Sequence, residues 1–395
     1  MKFMICFSFI CLFFHLNIFC EDNAVYQFVE NMSAKEKAAQ VLMLSISGNK
    51  KFTNSMYEYY GAHIPGAFIL FKFNFAAAPE DTAGYLLSVN TAFKKIADNK
   101  NFIPPMFAVD CEGGGVYRIK ELASYLPSPR EIAEKYSLDE AKSLYTYTAE
   151  QIKLLGLHLN LAPIVEIKKK DSENFLGSRL YSANKKVVEE YSSAFISGMN
   201  KAGVLSVVKH FPGNAGVDPH KSKAVINTDE ENFYNEYLEP FKNVLKQNQC
   251  AVLISHVSIP FIEDVPFCFS EKGIQEILRK ELGFNGLILT DDLAMAALKT
   301  NGKTTCDNAI AALSAGCDMI MCSENKLHEL VNVISKKIIS DKIFSEKIDK
   351  AVYNILKAKI AVGILDENCY PVEKETFNSE KFNTAKQNAV KILKK

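Results

Sequence analysis

The sequence predicts an α/β fold built as a single (β/α)8 barrel of the TIM type. Short apolar runs rich in Val, Ile, Leu and Phe alternate with longer stretches of helical periodicity, and eight such runs can be counted. Their apolarity is continuous rather than alternating, which is typical of parallel strands buried on both faces. An open, doubly wound sheet is the alternative architecture. The eight runs are Val41–Ser47, Gly66–Phe73, Met106–Asp110, Leu157–Ile167, Leu205–His210, Ala251–Ile259, Leu287–Thr290 and Asp318–Ser323.

The composition fits a globular barrel and narrows the class of partner. With 395 residues, of which 48% are hydrophobic and 23% charged, the chain can bury a large core and is neither disordered nor a coiled coil. Lys and Arg number 46, as do Asp and Glu, so the net charge is zero. We therefore expect no nucleic-acid partner, and the expected oligomeric state is a monomer.

The first twenty residues differ from the rest of the chain. Lys2 is followed by an almost uncharged apolar run from Phe3 to Cys20, a pattern typical of an export signal and short for a membrane span. Lipid attachment at Cys20 is an alternative, although the preceding residues fit that signal poorly. We expect an exported protein that is periplasmic, secreted or an outer-surface lipoprotein, with membrane attachment only through the signal or a lipid. Residues 21–364 are then the barrel domain and 365–395 a C-terminal tail.

The cysteines predict buried free thiols. Without the signal, seven remain, an odd number at irregular spacing and with no CxxC pair. Cys250, Cys317 and Cys322 lie in apolar runs, where a free cysteine behaves as a small hydrophobic residue. A disulfide framework and a cysteine-based metal site are both disfavoured.

Local patterns also predict individual helices. Ser33 followed by Glu36 is a capping-box pattern that opens a helix before the first strand. The segments Asp229–Gln247 and Ser270–Leu282 have the spacing of amphipathic helices, and Gly283 ends the second.

Ionisable side chains follow most of the predicted strands. In a parallel barrel the loops after the strands meet at one face, so these side chains should lie together there and form an active site. In chain order they are Asp110 and Glu112, Glu166 and Arg179, Lys209 and His210, Asp218 and His220, His256, and Asp291 with Asp292.

Two groups in this set suit covalent and proton-transfer chemistry. Asp291 ends a buried strand, where a carboxylate can attack an electrophilic carbon, whereas Asp292 is assigned to capping the helix that begins near Leu293. Asp218 stands two residues before His220 and could hold one ring nitrogen while the other faces a substrate. A solvated turn is the alternative for that pair.

The remaining set suits the binding of hydroxyl groups. Asp110 and Arg118 flank the turn Gly113–Gly115, which lacks the spacing of a phosphate-binding loop and is interpreted as a positive-φ turn. Asp110 can accept from hydroxyls, and Arg118 and Arg179 can donate in planar forks, with a buried ion pair as the alternative for either arginine.

Lys209 and His210 are interpreted as donors to hydroxyls or to a carbonyl of the substrate, since a lone buried ammonium is costly. His210, His220 and His256 lack the spacing of common metal sites. We expect neither a metal nor another cofactor.

Several ordered motifs together resemble glycoside hydrolase family 3, in particular its β-N-acetylglucosaminidase branch. The resemblance covers roughly Ala34 to Gly363. The motifs are Met32-Ser33-Ala34-Lys35-Glu36-Lys37, Val109-Asp110-Cys111-Glu112-Gly113-Gly114, Leu161-Ala162-Pro163, Leu176-Gly177-Ser178-Arg179, Lys209-His210-Phe211-Pro212-Gly213, Thr290-Asp291-Asp292-Leu293-Ala294-Met295 and Ala315-Gly316-Cys317-Asp318-Met319.

The resemblance implies an exo-acting barrel hydrolase that removes terminal β-linked N-acetylglucosamine with retention, through a covalent glycosyl-enzyme. The implied substrates are peptidoglycan fragments or chito-oligosaccharides, both small carbohydrates. It implies that Asp291 is the nucleophile and that His220, oriented by Asp218, is the acid/base. The implied sugar-binding residues are Asp110, Arg118, Arg179, Lys209 and His210.

This chain departs from the family pattern at several points. The stretch from Lys209 to His220 is two residues shorter than usual. Gly115, Glu166, Asn214 and Pro219 stand where Arg, Asp, His and Ser are usual. Three alternatives therefore stay open: a β-glucosidase, a glycosyl phosphorylase of the same family, or a sugar-binding protein that has lost catalysis.

Overall fold

The computed structural model describes residues 23–97, 102–169, 175–216, 218, 223–298, 302–373 and 376–394. Within these ranges, eight strands pair in parallel and close into a barrel in which each strand neighbours the next along the chain, and the last pairs with the first. The predicted barrel is confirmed, and the open sheet is wrong. The strands are β1 Leu42–Ser45, β2 Ala67–Leu70, β3 Met106–Val109, β4 Leu159–Asn160, β5 Leu205–Phe211, β6 Ala251–Ile254, β7 Ile288–Asp292 and β8 Met319–Cys322.

Each of the eight apolar runs overlaps one barrel strand; some strands are shorter than their runs, whereas β5 and β7 extend beyond theirs to Phe211 and Asp292. The run Leu157–Ile167 contributes only Leu159–Asn160, because Pro163 brings no N–H to the ladder and pairing resumes only as a bridge between Ile164 and Lys209. Six strands, β2, β3, β4, β5, β6 and β8, are buried along their whole length. This explains why their sequences are mainly apolar, with polar residues only in β4 and β5.

Helices surround the barrel, and the predicted capping box is present. Ser33 Oγ accepts from the Glu36 N–H at 3.3 Å, and the Ser33 N–H donates to Glu36 Oε2 at 2.7 Å. A helix at residues 23–30 comes first. The others are α1 Ala34–Gln40, α2 Asn54–Tyr60, α3 Pro79–Ile96, α4 Pro129–Lys135, α5 Leu138–Leu154, α6 Lys185–Lys201, α7 Glu230–Asn232, α8 Glu239–Gln247, α9 Thr305–Ala315, α10 Leu327–Ser340, α11 Lys342–Ala361 and α12 Ser379–Leu393.

The two predicted amphipathic segments are helical, with wider turns than expected. Phe233–Leu238 is π-helical and joins α7 to α8, and Lys272–Glu281 is π-helical along its length. Gly283 follows the second segment with φ of +66°, so the predicted glycine stop is confirmed.

The described cysteines are free thiols, as predicted. Cys111, Cys250, Cys268, Cys317, Cys322 and Cys369 are buried, and Cys306 is partly buried. In the part of the chain that the structure describes, no helix combines the length and the apolarity needed to cross a bilayer.

The segment interpreted as a tail carries helix α12, which docks on the barrel. Phe382, Ala385 and Ala389 form a buried stripe along one face of α12, and Lys386 Nζ donates to the Leu122 carbonyl at 2.9 Å. The predicted export signal, residues 1–20, lies outside the described residues and stays a prediction.

Candidate active site

The ends of β3 and β5 and a turn beyond β4 bring together four charged side chains, which we call the charge cluster: Asp110, Glu112, Arg179 and Lys209. Lys209 Nζ lies 2.9 Å from Asp110 Oδ1 and 2.6 Å from Glu112 Oε1. Arg179 donates from Nε and Nη2 to the two oxygens of Glu112, each at 2.8 Å. The buried ion pair left open for Arg179 is therefore present, and Glu112 links two of the predicted sugar-binding residues.

Glu112, Arg179 and Lys209 are expected to be ionised at neutral pH. Burial alone would raise the pKa of Glu112, but Lys209 and Arg179 lower it to about 2. Burial alone would lower the pKa of Lys209, but Asp110 and Glu112 raise it above its ordinary value. The predicted donors are thus charged, and opposite charges hold them in place.

The glycine turn after Asp110 shapes this cluster. Gly113 and Gly114 have φ of +107° and +57°, so the predicted positive-φ turn is confirmed. A Cβ on Gly113 would lie 2.2 Å from the Pro127 carbonyl oxygen, so only glycine fits there. The turn folds the chain back into a hairpin of Cys111–Gly113 and Val116–Tyr117, which places the Arg118 N–H 3.1 Å from the Asp110 carbonyl.

A second group forms around the ring of His210. His210 Nδ1 lies 2.8 Å from Glu166 Oε1. Asn214 donates to the same carboxylate twice, from its backbone N–H at 2.8 Å and from Nδ2 at 3.0 Å. Glu166 and Asn214 are two of the departures from the family pattern. In this chain they bind each other and hold the imidazole of His210 between them.

Asp291 lies at an irregularity of its strand. Along β7, Leu289 pairs with Met319 and Asp292 with Met321, so β7 has one residue more than β8 over this stretch. Such a β-bulge re-aims the side chains that it carries. Burial alone would raise the pKa of Asp291, but His210, the Asp292 N–H and Lys209 lower it below its ordinary value. Asp291 is therefore an ionised carboxylate at the rim.

Asp292 has a structural role, as predicted, but the helix expected near Leu293 is wrong, because that residue lies in a turn followed by the short 3-10 helix Ala296–Leu298. Its Oδ1 accepts from the Ala294 N–H and from the Ser323 N–H, both at 3.0 Å, so the carboxylate caps the turn after β7 and ties it to the end of β8. The Asp292 N–H donates to Asp291 Oδ1 at 2.8 Å. Asp292 thus helps to hold the carboxylate before it.

Of the remaining predicted site residues, the structure describes Arg118 and Asp218 but not His220. Arg118 is partly exposed, and its Nε is buried without a hydrogen-bond partner among the described residues. Asp218 is partly buried. His220 lies outside the described residues, so the Asp218–His220 pair stays a prediction, as does its approach to Asp291.

The strand-end criterion placed Glu112, Glu166 and His256 at this face of the barrel but assigned them no role, and it did not select Asn214. Their partners come from distant parts of the chain, which spacing alone does not reveal. Among the described residues, no three His, Cys, Asp or Glu side chains are grouped to hold a metal ion.

A closed parallel barrel with ionised carboxylates and cations at the carboxyl ends of its strands is the architecture of a barrel enzyme. Residues 33–358 match the model of the glycosyl hydrolase family 3 N terminal domain. The chain therefore belongs to glycosyl hydrolase family 3 and is a glycoside hydrolase acting on O-glycosyl bonds.

Individual relatives agree with this assignment. The chain is 32% identical to a "Beta-hexosaminidase" of Idiomarina loihiensis over 291 residues, which covers 72% of this chain and 84% of that protein. The structure of a family 3 β-N-acetylglucosaminidase from Paenibacillus sp. superposes with a TM-score of 0.77 at 23% identity, over 90% of this chain and 68% of the other.

A fungal multi-domain β-N-acetylglucosaminidase of the same family superposes with a TM-score of 0.78 at 25% identity. The match covers 90% of this chain but only 42% of the fungal chain. This chain therefore spans less than half the length of that larger relative.

Proposed function

We propose that this protein is an exo-acting, retaining β-N-acetylglucosaminidase that releases terminal N-acetylglucosamine from a small carbohydrate. The single observation that carries the proposal is Asp291: an ionised, partly buried carboxylate at the tip of β7, whose pKa is lowered by groups that include His210 and Lys209. The β-hexosaminidase and β-N-acetylglucosaminidase relatives supply the substrate class.

In the proposed first step, the Asp291 carboxylate attacks the anomeric carbon as the bond to the leaving oxygen breaks. That oxygen takes a proton from His220, which Asp218 orients. A covalent glycosyl ester of Asp291 results. Water then attacks the same carbon, gives a proton to His220 and releases the Asp291 carboxylate, so the configuration is retained after two inversions. A lowered pKa suits Asp291 to this role, because only its ionised form attacks.

The charge cluster supports binding of the terminal sugar. Asp110 is partly exposed and can accept from a hydroxyl while Lys209 neutralises it. Arg118 and Arg179 are partly exposed donors, and Glu166 fixes the ring of His210. Because these groups hold one another in place, they lose little conformational freedom when a sugar binds.

The test is release of nitrophenol from nitrophenyl β-N-acetylglucosaminide. We expect turnover by the wild type, a first-formed product of β configuration, and a loss of at least about a thousandfold in Asp291→Ala. Asp349→Asn is the matched control, because Asp349 pairs with Lys37 away from the rim at 2.6 Å. An inactive wild type, or an Asp291→Ala variant with unchanged turnover, contradicts the proposal.

The same assay separates the alternatives. Preference for the nitrophenyl β-glucoside would identify a β-glucosidase, and formation of a sugar 1-phosphate in phosphate buffer would identify a phosphorylase. Calorimetric binding of N-acetylglucosamine without turnover would identify a sugar-binding protein. We propose that the natural substrates are peptidoglycan fragments or chito-oligosaccharides, and kcat/KM for both classes tests this.

We further propose that the chain is an exported monomer. The apolar run from Phe3 to Cys20 supports export. Intact-mass measurement of the native protein distinguishes a cleaved signal from a retained one and from a lipid on Cys20, and light scattering on a sizing column tests the monomer.

A further inference from the structure

His256 is a buried imidazole next to the proposed nucleophile, and its two ring nitrogens have different partners. His256 is 2% exposed and lies two residues beyond the end of β6. Its Nε2 lies 3.1 Å from the Asp292 carbonyl oxygen, and its Nδ1 lies 3.3 Å from Cys268 Sγ.

These partners define one tautomer of His256. A carbonyl oxygen only accepts, so Nε2 carries the proton and donates to Asp292. Burial lowers the pKa of His256 and keeps the ring neutral, so Nδ1 is an acceptor. Burial also raises the pKa of Cys268 well above its ordinary value, so Cys268 carries the thiol proton and donates to Nδ1.

The contact of His256 with Asp292 falls on the β-bulge that carries Asp291. From the β8 side, Thr290 Oγ1 accepts from the Met321 N–H at 3.1 Å, and the Leu293 N–H donates to the Met321 carbonyl at 2.9 Å. From the β6 side, regular pairing ends where Thr290 faces Ile254. Beyond that point, the contact between β7 and the segment after β6 is the one from His256 to the Asp292 carbonyl.

We infer that His256 is a positioning residue for Asp291, and that the thiol of Cys268 fixes its tautomer. His256 holds the carbonyl of Asp292 from the β6 side, and the N–H of Asp292 donates to Asp291 Oδ1 at 2.8 Å. The imidazole therefore sets where the carboxylate points without touching the sugar. This inference rests on the nucleophilic role proposed for Asp291.

The first experiment compares His256→Ala with His256→Gln, whose side-chain N–H can still donate to Asp292. We expect kcat in His256→Ala to fall about 100-fold with KM changed less than about threefold, because a nucleophile displaced by about 1 Å loses about that much rate. His256→Gln should recover at least about tenfold of this loss. The control is His158→Gln, a second buried imidazole, whose Nδ1 accepts from the Phe107 N–H at 3.0 Å. Its kcat should stay within about twofold of wild type.

Cys268 supplies a second pair of variants in case His256→Ala does not fold. Cys268→Ser keeps a donor to Nδ1, whereas Cys268→Ala removes it, so only the alanine variant should lower kcat. A folded His256→Ala with wild-type kcat, a His256→Gln no better than His256→Ala, or equal kcat in Cys268→Ser and Cys268→Ala overturns the inference.

A readout that needs no turnover separates this inference from the proposed function. In histidine labelled with ¹⁵N, the two ring nitrogens of a neutral imidazole have distinct shifts, and His256 should show a protonated Nε2 and an unprotonated Nδ1. Cys268→Ala should broaden or shift this pattern, and Cys268→Ser should keep it. If the wild type shows the opposite tautomer or a charged ring, the inference fails even when the enzyme is active. If the wild type is inactive but the tautomer is as stated, it is the proposed function that fails.

Discussion

A buried lysine lies at each end of the barrel, and the surroundings of the two lysines shift their pKa values in opposite directions. At the carboxyl end of β5, Lys209 contacts the carboxylates of Asp110 and Glu112, and they raise its pKa although burial alone would lower it. At the amino end, Lys359 of α11 donates to Gln40 Oε1 and the Pro104 carbonyl, both at 2.8 Å. Burial then lowers the pKa of Lys359 well below its ordinary value.

The difference shows which end is built for chemistry. A charged group is kept charged at the carboxyl end, where two carboxylates share the cations of Lys209 and Arg179. At the amino end, neutral acceptors satisfy the hydrogen-bonding capacity of Lys359 without compensating its charge. The first arrangement is suited to binding a polar ligand, and the second fills the amino end of the barrel with neutral contacts.

The largest expected effect comes from making the same substitution at both ends. Lys209→Met should lower kcat/KM by about a thousandfold, since it removes a charged donor from the site and leaves Asp110 and Glu112 without their shared cation. Lys359→Met should leave kcat/KM within about twofold of wild type. Initial rates on the nitrophenyl substrate, with circular dichroism as a check on folding, give both values. Equal losses in the two variants would remove the functional distinction between the two ends.

The next effect is on stability and has a definite pH dependence. The folded pKa of Glu112, about 2, is below its unfolded value, so its contribution is complete above about pH 5 and is lost as pH falls towards 2. The difference between this pKa and the ordinary value of 4.5 corresponds to about 3 kcal/mol, so Glu112→Gln should lower the free energy of unfolding by about that amount at pH 7. The deficit should shrink between pH 5 and 3, as measured by urea unfolding. A deficit that does not change with pH would mean that Glu112 is not a charged partner.

The fold could be predicted in detail because its signals are local. Each strand of the barrel overlaps a mainly apolar run, and the Gly113 turn and the Ser33 cap can be predicted from a few neighbouring residues. The contacts of the site are different in kind. Lys209 and Asp110 are 99 positions apart, and only the closed barrel brings them within 2.9 Å. Lys359 is the clearest example of a residue whose burial could not be predicted, because the neighbouring sequence in its helix does not distinguish it from an exposed lysine.

Part of the predicted site is placed and part stays a prediction. Asp291 could be selected because an acid directly after an apolar run must lie at the rim of the barrel. The rule predicts the position of Asp291 but not its contacts. It therefore does not predict that the Asp292 N–H donates to Asp291, or that His256 contacts the Asp292 carbonyl. Asp218 and His220 belong to a loop whose sequence is shorter than the family pattern, and their pairing is still to be measured.

A smaller effect is expected from the group around His210. Glu166→Gln keeps the shape of the side chain but replaces a charged acceptor of His210 Nδ1 and of two donors from Asn214. We expect kcat/KM to fall about tenfold, because a hydrogen bond to a charged group contributes about 1.5 kcal/mol or more. Glu166→Asp, which keeps the charge but shortens the reach, should lose less. The group would have no functional role if both variants matched the wild type in kcat/KM while remaining folded.

The last effect is at the amino end of the barrel and, as for Glu112, makes the wild type more stable as pH rises, here over an alkaline range. The folded pKa of Lys359 is lower than its unfolded value near 10.5, so the unfolded chain binds more protons and stability rises with pH up to that value. Lys359→Met cannot bind this proton, so its free energy of unfolding relative to wild type should decline between pH 7 and 9.5, by at most about 1.4 kcal/mol per pH unit. Urea unfolding at several pH values measures this slope, and Lys350→Met, on the same helix α11 but exposed, is the control that should show little slope. A relative stability that does not change over this range would mean that Lys359 stays charged in the folded protein, as Lys209 does at the other end of the barrel.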